Sequence, residues 1–294
     1  MNFQQFAEAC GLAIRRLVAD GSIQRCPTHA KPHSTNGAYM LDRDRGWCMD
    51  WAAGDKVQWW TDPLAKPWTA EQKAEANRKR QQQARERVEM AREAAQKAKT
   101  MVEAAELVMP RPGRDWKPGR PAIEPREAHP YLVRKGFPQE PGFVLDGELL
   151  IPMFDLFAKS EPVGLQRINA AGEKKYLYGQ RSKGAIHRMG TGKAREVWLC
   201  EGYATALAVR AAVKALYRTA DVIACFSAGN LAYVASRGVG THVMADNDHS
   251  KVGEDAAVAT GLCWTMPATV GQDANDLMLA EGIAAVAGMM QKRI

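Results

Sequence analysis

The carboxyl-terminal part of the chain, residues 196–294, alternates short apolar runs with longer segments whose apolar positions recur every three or four residues. The runs VWLC, DVIACFSA, THVMAD and CWTMP are typical of buried strands, and segments such as ATALAVRAAVKALYR and GEDAAVATG are typical of helices. A short helix near NLAYVASR and a final helix from about Asn275 complete the alternation. Because strands that alternate with helices build parallel sheets with helices on both faces, this part is predicted to be an α/β domain.

A different pattern occupies the segment between Thr69 and Leu107, where Ala, Gln, Glu, Lys and Arg dominate and large apolar residues are few. These residues are strong helix formers, and Thr69 with Gln72 fits a capping box at the start. We therefore predict one long, solvated helix, a linker within residues 67–110, which would span roughly 55–60 Å. Its excess of Lys and Arg leaves contact with phosphates open as an alternative role.

Between these two parts, residues 111–195 begin in a Pro-, Arg- and Gly-rich stretch from Pro110 to Pro125 that is predicted to be irregular. Regular structure resumes at HPYLVRKGF. ELLIPMFD and PVGLQRI then indicate two strands around a turn at Lys159 to Pro162. The segment EKKYLYGQRSKG that follows is basic. We expect a separate small subdomain here.

The composition is that of a soluble globular protein with room for about two domains, since 46% of the 294 residues are hydrophobic and 25% are charged. No apolar run approaches the roughly 18 residues that span a bilayer, and the start, MNFQQFAEAC, lacks the layout of a secretory signal. We therefore expect a cytoplasmic protein without a membrane partner. The formal net charge of +7 favours an anionic partner. The six cysteines are scattered and are interpreted as reduced thiols.

Acidic residues directly follow two of the predicted strands. Glu201 comes after VWLC, and Asp246 and Asp248 come at the end of THVMA. Residues two apart in an extended segment point the same way, so Asp246 and Asp248 are expected to face one point. Because the carboxyl ends of parallel strands meet at one edge of a sheet, all three acids should cluster there and attract Mg²⁺ or Mn²⁺. The alternative is that the aspartates merely begin a loop.

These acids carry a resemblance to a known family. Glu-Gly at one strand end and Asp-x-Asp at a later one resemble the Toprim domain of topoisomerases, bacterial primases and some nucleases, a domain with a Rossmann-like parallel sheet. More specifically, EGYATA at Glu201 to Ala206 is similar to the motif of alpha-type primases from satellite phages and conjugative plasmids. The resemblance implies a DNA primase. Such an enzyme is a metal-dependent nucleotidyltransferase that makes short RNA primers from ribonucleoside triphosphates on single-stranded DNA during phage or plasmid replication.

In such a primase, Glu201, Asp246 and Asp248 would be the catalytic residues and would bind Mg²⁺ or Mn²⁺. The segment GQDANDLM resembles the one that closes the Toprim domain, where a further acid is usual. Asp276 is the preferred candidate for this additional metal ligand, and Asp273 is the weaker one because it precedes the predicted helix. Glu201 could complete the metal site or accept the proton of the attacking hydroxyl, and the sequence leaves both roles open.

The region upstream extends the resemblance. ELLIPMFD, PVGLQRI and the basic segment after them look like the small α+β subdomain that precedes Toprim in bacterial replicative primases. There, a twisted sheet and basic residues hold template and nucleotide. By this match Arg167, Lys174, Lys175 and Lys183 would line that cleft. Without the family, they form a basic cluster that could equally be a solvated face.

Residues 1–66 are rich in Trp, Cys, His, Gly and Asp. C-x-x-H at Cys26 and His29, followed by Cys48, resembles the Cys-His-Cys-Cys zinc module at the head of bacterial and phage primases. The fourth ligand would fall at Trp51, which cannot bind zinc. We therefore expect a degenerate, zinc-ribbon-like β module for template recognition, with Zn²⁺ on Cys26, His29 and Cys48 as the alternative. Most of its tryptophans should be buried, and any exposed ones could stack on unpaired bases.

Other functions fit parts of the same pattern. A Toprim nuclease would use the same acids, and a topoisomerase would also need a catalytic tyrosine in a separate domain. A primase-like DNA-binding or regulatory protein would not need intact acids. A primase–helicase would need a P-loop, and the nearest string, GTGKA at Gly190 to Ala194, lacks its glycine spacing and its Ser or Thr. Any helicase partner is therefore expected to be a separate protein.

Overall fold

The structure is a computed structural model, and it describes residues 1–50, 57–108, 128–158 and 160–291. Internal contacts divide the chain into two compact units, Met1–Arg80 and Gln81–Ile294. Among the described residues, no helix is both long enough and apolar enough to cross a membrane.

Some of the predictions fall on positions outside the described residues. These are the irregular stretch from Pro110 to Pro125, the turn residue Lys159, and Trp51, where the fourth ligand of a zinc module would fall.

The first unit contains a small antiparallel sheet that packs against helix α1 (Phe3–Ala9). Four strands pair in chain order: β1 (Asp20–Cys26), β2 (Gly37–Asp42), β3 (Arg45–Asp50) and β4 (Gln58–Thr61). Their inner face buries an apolar cluster that includes Phe3, Leu12 and Tyr39. The β module predicted at the amino-terminal end is therefore present as a four-stranded antiparallel sheet.

The long helix predicted in the middle of the chain is present as α2, Ala70–Ala104. Its capping box forms as expected. The Gln72 amide donates to Thr69 Oγ1 at 3.2 Å, and the Thr69 amide donates to Gln72 Oε1 at 3.0 Å. The helix ends before Leu107, because Glu106–Val108 forms strand β5 and pairs with a later strand.

The expectation that this helix is solvated along its whole length is wrong near its carboxyl end. Ala94 and Ala98 are buried there in a cluster with Leu150, Leu165 and Leu177 of the second unit. Two alanines four positions apart lie on the same helix face, and their small side chains let the helix lie close to a sheet. This stretch of α2 is therefore part of the second unit's core.

The second unit is built on one ten-stranded sheet. After β5 its strands are β6 (Gly142–Leu145), β7 (Glu148–Asp155), β8 (Pro162–Ile168), β9 (Lys174–Tyr176), β10 (Ala185–Met189), β11 (Glu196–Cys200), β12 (Ala220–Ala224), β13 (His242–Met244) and β14 (Cys263–Thr265). The order across the sheet is β14, β13, β11, β12, β10, β7, β6 and β5, with β8 paired to β7 and β9 paired to β8.

The last four strands form the predicted parallel region, in which β11 lies between β12 and β13 and β14 lies beyond β13. Alternate residues of β11 enter cores on opposite faces, Trp198 and Cys200 on one and Leu199 on the other. The prediction of an α/β region with helices on both faces is confirmed. The helices are α3 (Pro130–Arg134), α4 (Tyr203–Ala215), α7 (Ala274–Glu281) and α8 (Ile283–Gln291) on the first face, and α5 (Ala228–Ser236) and α6 (Val252–Thr260) on the second.

Strand β10 joins the antiparallel and parallel parts of the sheet. Its first residues pair with β7 and its last residues pair with β12, both in antiparallel register. The buried Asn230 side chain fastens this junction, because it accepts from the Gly184 amide at 2.7 Å and donates to the carbonyls of Ala185 and Cys225 at 2.8 Å. The sequence pattern did not predict β9 or β10, whose polar residues interrupt the apolar alternation of a strand.

Candidate active site

The acids predicted at the strand ends lie just beyond the carboxyl ends of two neighbouring strands. Glu201 directly follows β11, and Asp246 stands two residues beyond β13, the strand paired with β11. Backbone hydrogen bonds continue up to both positions. The Phe226 amide donates to the Glu201 carbonyl at 2.7 Å, and the Ala245 amide donates to the Thr265 carbonyl at 2.9 Å. The sheet thus fixes the backbone that carries the two carboxylates.

The half-buried Glu201 carboxylate stands in an environment that disfavours its charge. Burial raises its pKa above the usual value, and the charge of Asp248 raises it further. A hydrogen bond from the Ala228 amide and the charge of Lys174 act in the opposite direction. The charges of Asp248 and Lys174 therefore both act on the pKa of Glu201, in opposite directions.

Asp246 is perturbed more strongly. Burial, followed by the charges of Asp273 and Glu201, raises the pKa of its carboxyl group to about 7. The Thr205 hydroxyl, which donates to Oδ1 at 3.2 Å, and the charge of Lys174 lower it in part. The structure thus brings Glu201, Asp246 and a third carboxylate, Asp273, into one electrostatic neighbourhood.

Asp248 and Asp276, the other two predicted metal ligands, are engaged locally. Asp248 Oδ1 accepts from the Ser250 amide at 2.8 Å and from its hydroxyl at 2.5 Å. Asp276 forms a capping box with Asp273 at the start of α7, and its Oδ1 lies 3.6 Å from Lys135 Nζ. The carboxylate of the GQDANDLM segment that acts on Asp246 is therefore Asp273, which sequence reasoning ranked second because it precedes the helix.

The donor chemistry of this edge suits Mg²⁺ or Mn²⁺, which prefer carboxylate oxygens. Within the described parts of the chain, no group of three or more His, Cys, Asp or Glu side chains is already arranged to hold a metal ion. Burial and repulsion from neighbouring carboxylates nevertheless raise the pKa values of Glu201 and Asp246, the neighbour being Asp248 for Glu201, and Asp273 and Glu201 for Asp246. A divalent cation would relieve that repulsion, so the residues present fit such an ion.

Strand β9 brings one predicted basic residue to the acids. Lys174 lowers the pKa of both Glu201 and Asp246. Two residues along on the same side of the strand, the Tyr176 hydroxyl accepts from Gln166 Nε2 at 2.7 Å, and its ring meets the Phe226 ring edge-on at 6.4 Å between centroids. One side of β9 therefore faces the carboxyl edge of the parallel strands.

The other basic residues lie elsewhere, so the expectation that all four share one cleft is not met. Lys175 is opposite Arg167 in the β8–β9 pairing, and directly opposed residues share a sheet face, so both point away from the side of Lys174. Arg167 Nε lies 2.6 Å from Glu148 Oε2 and lines an open cavity of about 610 Å³. Lys183 Nζ stands 4.6 Å above the Tyr233 ring.

Sequence reasoning missed two residues that touch Asp246, Thr205 and Gly253. Thr205 is the threonine of EGYATA, so the motif marked its position without indicating its role. Gly253 lies in α6 so close to Asp246 that a Cβ added there would stand 2.5 Å from the Asp246 carbonyl oxygen. Gly253 is the first residue of the predicted helix segment GEDAAVATG, where glycine is tolerated, so the sequence carried no signal for its contact with Asp246.

In the first unit, the possible zinc ligands are not brought together. Cys26 ends β1 opposite Gly37, whereas Cys48 lies within β3 opposite Tyr39. Both thiols are buried in the apolar core, and burial raises the pKa of Cys26. His29 is exposed. These two cysteines therefore serve as core residues of the described sheet.

The tryptophans of β4 divide between the two faces of that sheet. Trp60 meets the Phe3 ring edge-on, with 5.5 Å between centroids, and packs against the core. Trp59 is 73% exposed and lies opposite Trp47 on the outer face. Trp47 and Trp60 are only half-buried, so the expectation that most of these tryptophans are buried is not met among the described residues, and Trp59 is the most exposed of them and the one placed for stacking.

No family model matches the chain. Similar solved structures include the RNA polymerase domain of Mycobacterium tuberculosis primase DnaG, with 20% identity, a TM-score of 0.34 and coverage of 52% of this chain and 57% of that one. A DNA primase domain from Pseudomonas aeruginosa has 14% identity, a TM-score of 0.35 and coverage of 53% and 54%. The primase fragment of the bacteriophage T7 primase-helicase protein has 14% identity, a TM-score of 0.36 and coverage of 55% and 69%. The chain thus spans little more than half the length of the first two.

Proposed function

We propose that this chain is a Toprim-type DNA primase, which makes short RNA primers on single-stranded DNA from ribonucleoside triphosphates during phage or plasmid replication. The observation that carries the proposal is the group of carboxylates at adjoining strand ends, with Lys174 beside Glu201 and Asp246. The EGYATA motif supports it, because its glutamate, Glu201, is one of these carboxylates and its threonine, Thr205, donates a hydrogen bond to another, Asp246.

In the proposed reaction, the 3′-hydroxyl oxygen of one ribonucleotide forms a bond to the α-phosphorus of the next, and the bond to pyrophosphate breaks. Glu201, Asp246 and Asp248 would hold Mg²⁺ or Mn²⁺, with Asp273 as the further carboxylate. When bound, the ion would neutralise and orient the triphosphate. Lys174 would add positive charge beside the phosphates.

Glu201 serves this site either as a metal ligand or as the acceptor of the hydroxyl proton. Its raised pKa favours the second role, because a carboxylate is a more effective general base as its pKa approaches the working pH. The amino-terminal unit would select the template, with the exposed Trp59 ring stacking on an unpaired base. A replicative helicase, if one acts with this primase, would be a separate protein.

The test is synthesis on an unprimed template. Purified chain, single-stranded DNA, labelled ribonucleotides and Mg²⁺ should give short RNA products on a sizing gel. Asp246→Asn should abolish them without lowering the melting temperature, because removing one of several clustered negative charges relieves repulsion. Full synthesis by that variant would refute the assignment of the site.

The same assay separates the alternatives. Cleavage of labelled DNA without ribonucleotides, lost in Asp246→Asn, would identify a Toprim nuclease. Binding of single-stranded DNA with neither synthesis nor cleavage would identify a non-catalytic, primase-like regulatory protein.

A further inference from the structure

Thr205 is a polar residue on an otherwise apolar helix surface. It lies in the first turn of α4 among residues that are all buried, and is itself only 1% exposed. A hydroxyl in such surroundings is unfavourable unless it forms a hydrogen bond. Its bond runs to the Asp246 carboxylate, where Thr205 Oγ1 donates to Oδ1 at 3.2 Å. This buried hydroxyl of α4 thus reaches the proposed metal site.

The backbone around Asp246 is held on both sides. The preceding amide, of Ala245, bonds to β14, and the following one, of Asn247, donates to the Gln272 carbonyl at 3.1 Å. Helix α6 lies against the Asp246 carbonyl through Gly253, where a Cβ would come within 2.5 Å of that oxygen. What remains to be fixed is the rotation of the Asp246 side chain.

We infer that Thr205 is a positioning residue that holds the Asp246 carboxylate in the orientation required for divalent-metal binding. The inference rests on the proposed function in that Asp246 is a metal ligand there. The hydroxyl donates to one carboxylate oxygen and leaves the other free to face a cation. Groups that orient metal ligands in this way typically change metal affinity about 10- to 100-fold when removed.

A matched pair of variants isolates the hydroxyl. Thr205→Val keeps the shape and removes the donor, whereas Thr205→Ser keeps the donor and removes a methyl group. The readout is Mn²⁺ binding to the full-length chain, measured as loss of the free-ion electron paramagnetic resonance signal, with Asp246→Asn as the reference for a lost ligand. Melting temperatures of both variants report whether the fold is intact.

We expect Thr205→Val to bind Mn²⁺ about 10-fold or more weakly than the native chain, and Thr205→Ser to retain most of the native affinity. Primer synthesis by Thr205→Val should recover as Mn²⁺ is raised, because the defect lies in metal affinity. A purely structural role would instead lower the melting temperature of both variants and leave Mn²⁺ affinity unchanged.

The outcomes separate this inference from the proposed function. If the native chain binds Mn²⁺ and Thr205→Val binds it equally well, the inference is wrong and the primase proposal stands. If Thr205→Val loses affinity but the native chain makes no primers, the positioning role stands and the primase proposal falls. If the native chain binds no Mn²⁺, the metal site and the inference both fall.

Discussion

The two units place their chemically reactive side chains in opposite ways. In the first unit, Cys26 and Cys48 point into the inner face of an antiparallel sheet and are buried in its core. In the second, Glu201 and Asp246 stand just beyond the ends of neighbouring parallel strands. The carboxyl ends of β11 and β13 meet at one edge of the sheet, whereas Cys26 lies level with Gly37 and Asp50, and Cys48 lies two residues before the end of β3. The position of each residue along its strand therefore decides which motif residues meet.

The largest expected effect tests the carboxylates at the strand ends and compares Asp273 with Asp276, the two aspartates of the capping box of α7. Asp273→Asn should lower primer synthesis about 10- to 100-fold, because it removes a charge that acts on Asp246, while Asn still caps the helix. Asp276→Asn should change synthesis little, because that side chain faces Lys135. Initial rates at fixed Mg²⁺ give the comparison. A larger loss in Asp276→Asn would restore the ranking suggested by the sequence.

Two adjacent tryptophans test the amino-terminal sheet. Trp60→Ala should lower the free energy of unfolding by about 2 kcal/mol, because its ring packs against the core. Trp59→Ala should leave stability unchanged and weaken binding of single-stranded DNA by about 1–3 kcal/mol, the usual worth of one stacked base. Urea unfolding and fluorescence anisotropy measure the two effects. Unaltered DNA affinity in Trp59→Ala would exclude the outer face as a stacking surface.

Adjacent lysines test which side of β9 faces nucleic acid. Replacing Lys174 by Ala should reduce the slope of log affinity against log salt by about 0.7, the contribution of one phosphate contact on single strands. Lys175→Ala should leave the slope nearly unchanged, because its side chain points to the opposite face of the strand. Equal reductions in both variants would show that the template contacts both faces.

The smallest expected effect concerns the stability of the second unit. Burial lowers the pKa of His187, whose Nδ1 bonds to the Pro152 carbonyl at 2.9 Å. In the unfolded chain the His187 imidazole becomes protonated near pH 6.5, whereas in the folded chain it becomes protonated only at lower pH. The contribution of His187 to the free energy of unfolding is therefore constant above that value and falls as the pH drops below about 6.5.

A His187→Gln variant isolates this effect from other titrating groups, among them Asp246, which acts in the opposite direction because its pKa is raised. Urea unfolding at several pH values should show a shallower loss of stability below about pH 6.5 in the variant than in the native chain. Parallel curves would indicate that His187 is protonated equally well in the folded state.

The predictable features were those set by periodicity over a long stretch. The parallel strands, the helices around them and the capped helix α2 followed from runs of residues with one dominant pattern. Strands β9 and β10 did not, because polar residues interrupt their apolar alternation, and β10 also pairs with strands distant in the chain. Likewise, the sequence assigned Lys174 and Lys175 to the same cleft. Only the pairing of β9 with β8 shows that their side chains lie on opposite faces of the strand. The action of Asp273 on Asp246 required the fold of the loop before α7.

Strand β10 also determines how this chain can be dissected. The sequence pattern suggests a domain boundary at residue 196. A fragment that starts there would lack β10, the antiparallel neighbour of β12, and would leave that edge of β12 unpaired. Exposed edges of this kind recruit other chains, so we expect such a fragment to aggregate. A fragment starting near residue 110 would discard β5 and the buried Ala94 and Ala98. A fragment that begins at Gln81, the start of the second unit, keeps the whole sheet and both buried alanines, and its hydrogen-bonded strands should resist hinge-like separation of the acids from Lys174.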